Sequence, residues 1–92
     1  MTDVKPKRLG DLRNVGKAML TDFNLLGIER VEQLAECEPR ELYDRLQAIT
    51  GHRHDPCVLD TFMAAVHEAR TGERLNWWAF TPARKAAERE AS

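Results

Sequence analysis

His52, His54 and Cys57 fall within one short segment, with His67 further along the chain. Imidazole and thiolate are zinc ligands, so these residues are where a metal would bind if there were one. Their spacing matches no structural zinc pattern, and a second pair of ligands is missing. A polar interhelical loop with Asp55 as a capping carboxylate accounts for the same residues. No metal or other cofactor is therefore expected, and His52, His54 and Cys57 are the residues that would form a site if one existed. Cys57 would lie in the first turn of a helix, where the dipole favours a thiolate, but Asp55 beside it opposes that. A thiol enzyme also needs a positioned base and an oxyanion site, and the chain advertises neither. Cys57 reads instead as a small residue at the edge of the core. Trp77 and Trp78 could stack on bases. Adjacent helical residues point about 100° apart, so one can be buried while the other is not. With Phe80 close by, the preferred reading is a lid that closes the core of a small domain.

The stretch Leu12-Arg13-Asn14-Val15-Gly16-Lys17-Ala18 carries a different chemistry. It resembles the helix-hairpin-helix motif, in which an apolar residue and a spacer precede glycine, an apolar residue, a second glycine and a basic residue that opens a helix. A tight turn of that kind uses residues that accept positive φ, and a backbone without side chains can come close to a phosphate. The helix then points its unpaired amides and the positive end of its dipole at the anion. Gly16 keeps the second glycine and Lys17 the basic position. Asn14 replaces the first glycine, which left-handed geometry tolerates, although its side chain would sit where a phosphate must approach. The residues assigned to a DNA backbone are thus Arg13, Asn14, Val15, Gly16 and Lys17.

The elements that must hold this hairpin are helices, because valines and isoleucines never alternate with polar residues over a useful length. Leu9 to Arg13 reads as a short first helix. A second runs from about Lys17 to Leu26, with Val15, Met19, Leu20, Phe23 and Leu26 at core spacing, and Gly27 ends it. Val31 to Ala35 forms a third. Pro39 opens a fourth with Leu42, Leu46 and Ile49 as its buried stripe, and Gly51 closes it. Asp55-Pro56 starts a fifth that carries Val58, Phe62, Ala65, Val66 and Ala69 inward and ends at Gly72. Thr81-Pro82 starts a polar last helix with only alanines to bury. The expected core contains Val15, Leu20, Phe23, Leu34, Leu46, Val58 and Phe62, and Asp60 is expected to be indifferent to DNA binding.

The chain has 92 residues, 42% hydrophobic and 32% charged, which describes one ordinary globular domain. No run is long enough to span a bilayer and no secretory signal is visible, so a cytoplasmic protein without a membrane partner is expected. Cys37 and Cys57 are the only cysteines and are expected to be free thiols. The net charge is −1 but unevenly spread. Lys5, Lys7, Arg8, Arg13 and Lys17 outnumber Asp3 and Asp11 at the start. Asp22, Glu29, Glu32, Glu36, Glu38, Glu41 and Asp44 then outnumber Arg30, Arg40 and Arg45. Such asymmetry orients a domain on a polyanion even when the total is near zero.

Leu26-Gly27-Ile28 and Val31-Glu32-Gln33-Leu34 resemble the connector after the first hairpin in paired helix-hairpin-helix domains. Ile49-Thr50-Gly51 to Asp55-Pro56 then takes the place of a second hairpin. It is degenerate: too long, with one glycine, and with an aspartate that repels phosphate. Across nearly the whole chain, Pro39-Arg40-Glu41-Leu42-Tyr43, Thr50-Gly51, His54-Asp55-Pro56-Cys57-Val58-Leu59-Asp60 and Trp77-Trp78 resemble the bacterial pathogenicity-locus family, often labelled mitomycin-resistance proteins. That resemblance implies a helix-hairpin-helix fold, for which DNA binding is one possible activity, and it implies no particular reaction or partner. The expectation is an all-α bundle of five or six short helices of the SAM-like, paired helix-hairpin-helix type. Residues 1–8 would be a flexible basic end, 9–80 the domain and 81–92 a frayed polar helix. The expected function is non-catalytic, sequence-independent binding of DNA backbone. The alternative is a protein-interaction module that docks an unidentified protein on its acidic middle, which the acidic balance and the missing first glycine favour. A small thiol or metal enzyme comes third.

Overall fold

The computed structural model describes residues 8–91, so Lys5 and Lys7 of the basic end lie outside the described residues. A 3-10 turn at Leu9–Asp11 precedes α1 (Lys17–Leu25), α2 (Val31–Ala35), α3 (Pro39–Thr50) and α4 (Pro56–Thr71). A second 3-10 turn at Trp77–Phe80 leads into α5 (Thr81–Ala91). No strand occurs among the described residues, and the protein is all-α. None of these helices is long and apolar enough to cross a membrane.

Local chemistry places the boundaries. Pro39 and Pro56 open α3 and α4 at positions where a missing amide costs nothing. The Asp55 carboxylate accepts from the Cys57 amide at 2.9 Å as the cap of α4. Gly27, Gly51 and Gly72 follow α1, α3 and α4 with φ of 77°, 77° and 80°, a left-handed region that side chains disfavour. The first element is shorter than expected: Leu12 is already extended, so Leu9 to Arg13 yields one 3-10 turn rather than a helix.

α4 is the centre of the molecule. It packs against α2, α3, the second 3-10 turn and α5, and it buries residues on most of its circumference, including Leu59, Phe62, Ala64, Ala65 and Val66. The Phe62 ring meets Phe23 of α1 at a centroid distance of 5.8 Å. Polar ties fix the surrounding helices. Arg70 of α4 donates from Nε to the Ala35 carbonyl at 2.7 Å and from Nη2 to the Cys37 carbonyl at 2.8 Å, closing the end of α2. Arg45 of α3 donates to the Leu26 carbonyl at 3.1 Å, at the end of α1.

Val15, Phe23, Leu34, Leu46 and Phe62 are buried as expected, and Val58 is half-buried against the same core. Two expectations fail. Leu20 is 39% exposed, because Met19 and Phe23 define the inward line of α1 and Leu20 lies about 100° round from Met19. Ile49 is 48% exposed in the last turn of α3. The inward face of that helix is Leu42, Tyr43 and Leu46, so Tyr43 takes the place given to the isoleucine.

The last helix holds on by more than alanines. Asp60 of α4 is fully buried; it accepts from Arg84 Nε at 2.6 Å and from the Thr81 hydroxyl at 2.7 Å. Arg84 is itself buried and reaches Glu88 at 2.9 Å. Asp60 is therefore a structural group and no neutral surface acid. Removing one partner of a buried pair leaves the other charge uncompensated. Asp60→Ala should cost on the order of 3 kcal/mol in urea unfolding, whereas Ile49→Ala should cost less than about 1 kcal/mol.

Candidate nucleic-acid interface

The hairpin is built by two backbone turns. The Leu12 amide donates to the Leu9 carbonyl and the Val15 amide to the Leu12 carbonyl, each at 3.1 Å, with Leu9, Leu12 and Val15 buried beneath. Gly16 is the N-cap of α1 at φ −101° and ψ −169°, extended backbone open to any residue. No side chain caps the first turn of α1, and Gly16, Lys17 and Ala18 are exposed, so the first amides of the helix have no side-chain partner at the N-cap.

Three details differ from the sequence reading. Neither Asn14 nor Gly16 has a positive φ, so the turn does not depend on left-handed residues. The Val15 amide, assigned to a phosphate cradle, is already bonded to Leu12. Asn14 does not stand over the helix end either. Its Nδ2 donates to the Leu75 carbonyl at 2.7 Å and its Oδ1 accepts from the Trp77 amide at 3.0 Å, which pins the loop after α4 against the hairpin. A Cβ at Gly16 would meet nothing within 4 Å, so the fold itself makes no steric demand for glycine there.

Glu68, buried in α4, lies behind this join. Its Oε1 accepts from the Arg13 amide at 2.9 Å. Its Oε2 makes no hydrogen bond, with Arg74 Nε 3.4 Å away as an ion-pair partner. Arg74 also reaches the Asp11 carbonyl at 3.4 Å, and Arg13 Nε donates to Asn76 Oδ1 at 2.7 Å. The loop thus brings Arg74 to the exposed Arg13 beside the opening of α1 at Lys17. Sequence reasoning missed Arg74, which follows Gly72 in an irregular segment where periodicity carries no information about placement.

The histidine and cysteine candidates do not converge. His54 Nε2 lies 2.9 Å from the Thr50 hydroxyl, and its backbone is held by Gln47 and Tyr43. His52 stacks obliquely on His54 at 4.6 Å between centroids. His67 bonds Glu73 at 2.6 Å, on the far side of α4's sequence. Among the described residues no three of His, Cys, Asp or Glu gather as a ligand set.

Both cysteines are half-buried, and both thiols are pushed above the ordinary range. Burial is the main cause for Cys37; for Cys57 it is the hydrogen-bonded Asp55 carboxylate, with burial next. The thiolate is disfavoured at neutral pH in each case. Alkylation by iodoacetamide should therefore be slow near pH 7 and rise only in alkali. Asp55→Asn should shift the Cys57 pH–rate profile to lower pH and leave that of Cys37 in place. Asn14→Gly, which restores the glycine of the motif, removes two bonds of the loop. It should destabilise the protein by about 1–3 kcal/mol in thermal or urea unfolding.

The model of the Cdd1 family, described as pathogenicity locus, matches residues 2–86 of the chain. The chain is 42% identical over 85 residues to a protein of Streptomyces lavendulae named mitomycin resistance protein McrB, covering 92% of this chain and 81% of that one. No solved structure gives a significant match. A match over almost the full length, with a relative of this identity beside it, places the chain in the Cdd1 pathogenicity-locus family.

Proposed function

We propose that the protein is a non-catalytic, cytoplasmic DNA-binding module that grips phosphate backbone without reading bases. In this reading the Leu9–Asp11 turn, the link through Gly16 and α1 form a helix-hairpin-helix, and the long link from Gly51 to Asp55 is its degenerate second copy. The observation that carries the proposal is the start of α1, which no side chain caps and where a Cβ at Gly16 would meet nothing within 4 Å. Arg13, Lys17 and Arg74 add positive charge around it, and Gly16, Lys17 and Ala18 are exposed there. Asn14 serves by positioning the loop that carries Arg74. The second reading is a protein-interaction module. Glu29, Glu32, Glu36, Glu38, Glu41 and Asp44 are all exposed, a surface suited to a basic partner.

A titration of duplex DNA over a salt series tests the proposal. Neutralising two to four phosphates gives a logarithmic salt slope on the order of −2 to −4. Lys17→Glu should weaken binding to all sequences alike and flatten that slope, while Glu32→Gln should do neither. Gly16→Ala should fold normally, since its backbone is extended and its Cβ is unobstructed, yet bind more weakly. Absence of salt-sensitive association at low ionic strength would remove the DNA reading and leave the interaction module.

A further inference from the structure

Trp78 is 58% exposed, although a domain of this size gains more than most from burying an indole. Its partner Trp77 is half-buried and meets it edge to face, with centroids 5.7 Å apart and ring planes at 83°. The turn that carries both rings is bound to the hairpin twice: the Trp77 amide donates to Asn14 Oδ1 at 3.0 Å, and Asn76 Oδ1 accepts from Arg13 Nε at 2.7 Å. The exposed indole and the basic hairpin are thus parts of one tied unit.

We infer that Trp78 is a stacking platform for an unpaired nucleobase, and that the ligand of this face is single-stranded DNA. The inference rests on the backbone reading above. Arg13, Lys17 and Arg74 suit a polyanion, and Arg13 belongs to the hairpin to which the turn carrying the indole is bound. In a duplex the base faces are stacked on one another and closed to a surface indole. In a single strand each base offers an open face.

Fluorescence anisotropy of the full chain with labelled oligothymidylate, and with a blunt duplex of equal length, tests this. The single strand should bind tighter. Trp78→Ala should weaken oligothymidylate binding on the order of ten- to a hundred-fold and leave duplex binding unchanged. Trp78→Phe should keep most of the affinity, and Lys17→Glu should weaken both ligands. Oligothymidylate should also quench indole emission in the wild type and much less in Trp78→Phe, a readout that stands even if Trp78→Ala unfolds by circular dichroism. Equal affinity of wild type and Trp78→Ala for the single strand, or equal quenching in Trp78→Phe, would overturn the platform and leave the backbone grip standing. If neither ligand binds the wild type, the backbone grip fails and the platform with it.

Discussion

A carboxylate buried in a protein interior must be paired, since desolvation of an uncompensated charge costs several kcal/mol. α4 buries two, Asp60 and Glu68, on a helix otherwise surrounded by apolar neighbours. Each obliges a different part of the chain to come to it. Asp60 holds α5 through Arg84 and Thr81. Glu68 takes the Arg13 amide and faces the Arg74 guanidinium, so the hairpin and the loop after α4 must meet over its C-terminal half. Eight residues separate the two acids, about 12 Å along the helix axis. α4 is therefore a rod with a polar socket toward each end, and the apolar core of Phe23, Leu34, Leu46 and Phe62 fills the space beside it.

That arrangement gives the hairpin its rigidity. A link of five residues between a 3-10 turn and α1 has little to hold it by itself. Its backbone is tied to α4 at Arg13, and its Asn14 amide group bridges to Leu75 and Trp77. The same bonds set the surface chemistry, because they decide that Arg74 and Trp78 stand near Arg13 rather than elsewhere. Stability and candidate function share these contacts.

Element boundaries were legible in the sequence because they depend on local chemistry: Pro39, Asp55-Pro56, Gly27, Gly51 and Gly72 act within a turn of where they stand. The inward faces were legible only approximately. Leu20 and Ile49 are apolar and near the right spacing, but the buried arc of each helix is set by which neighbour it meets, and Met19 and Tyr43 occupy it instead. The roles of Asn14, Asp60, Glu68 and Arg74 could not be read. Each rests on a partner between 21 and 63 residues away in the chain, and helical periodicity says that a residue faces inward or outward without saying what it meets. Asn14 is the clearest instance: considered alone it is a glycine substitute in a turn, and in the fold it is a clasp.

Gly16 sits at a position where the folded chain makes no steric demand for glycine: the backbone there is extended, and an added methyl would touch nothing. Mutations at most buried sites are removed by selection because they unfold the protein, whatever its activity. At position 16 that filter is weak, limited to the modest preferences of a helix N-cap. Genetic drift would be expected to replace the glycine in any lineage where nothing binds in front of α1, and to leave it where something does. Sequence variation at this one position among descendants would thus record the history of the ligand separately from the history of the fold.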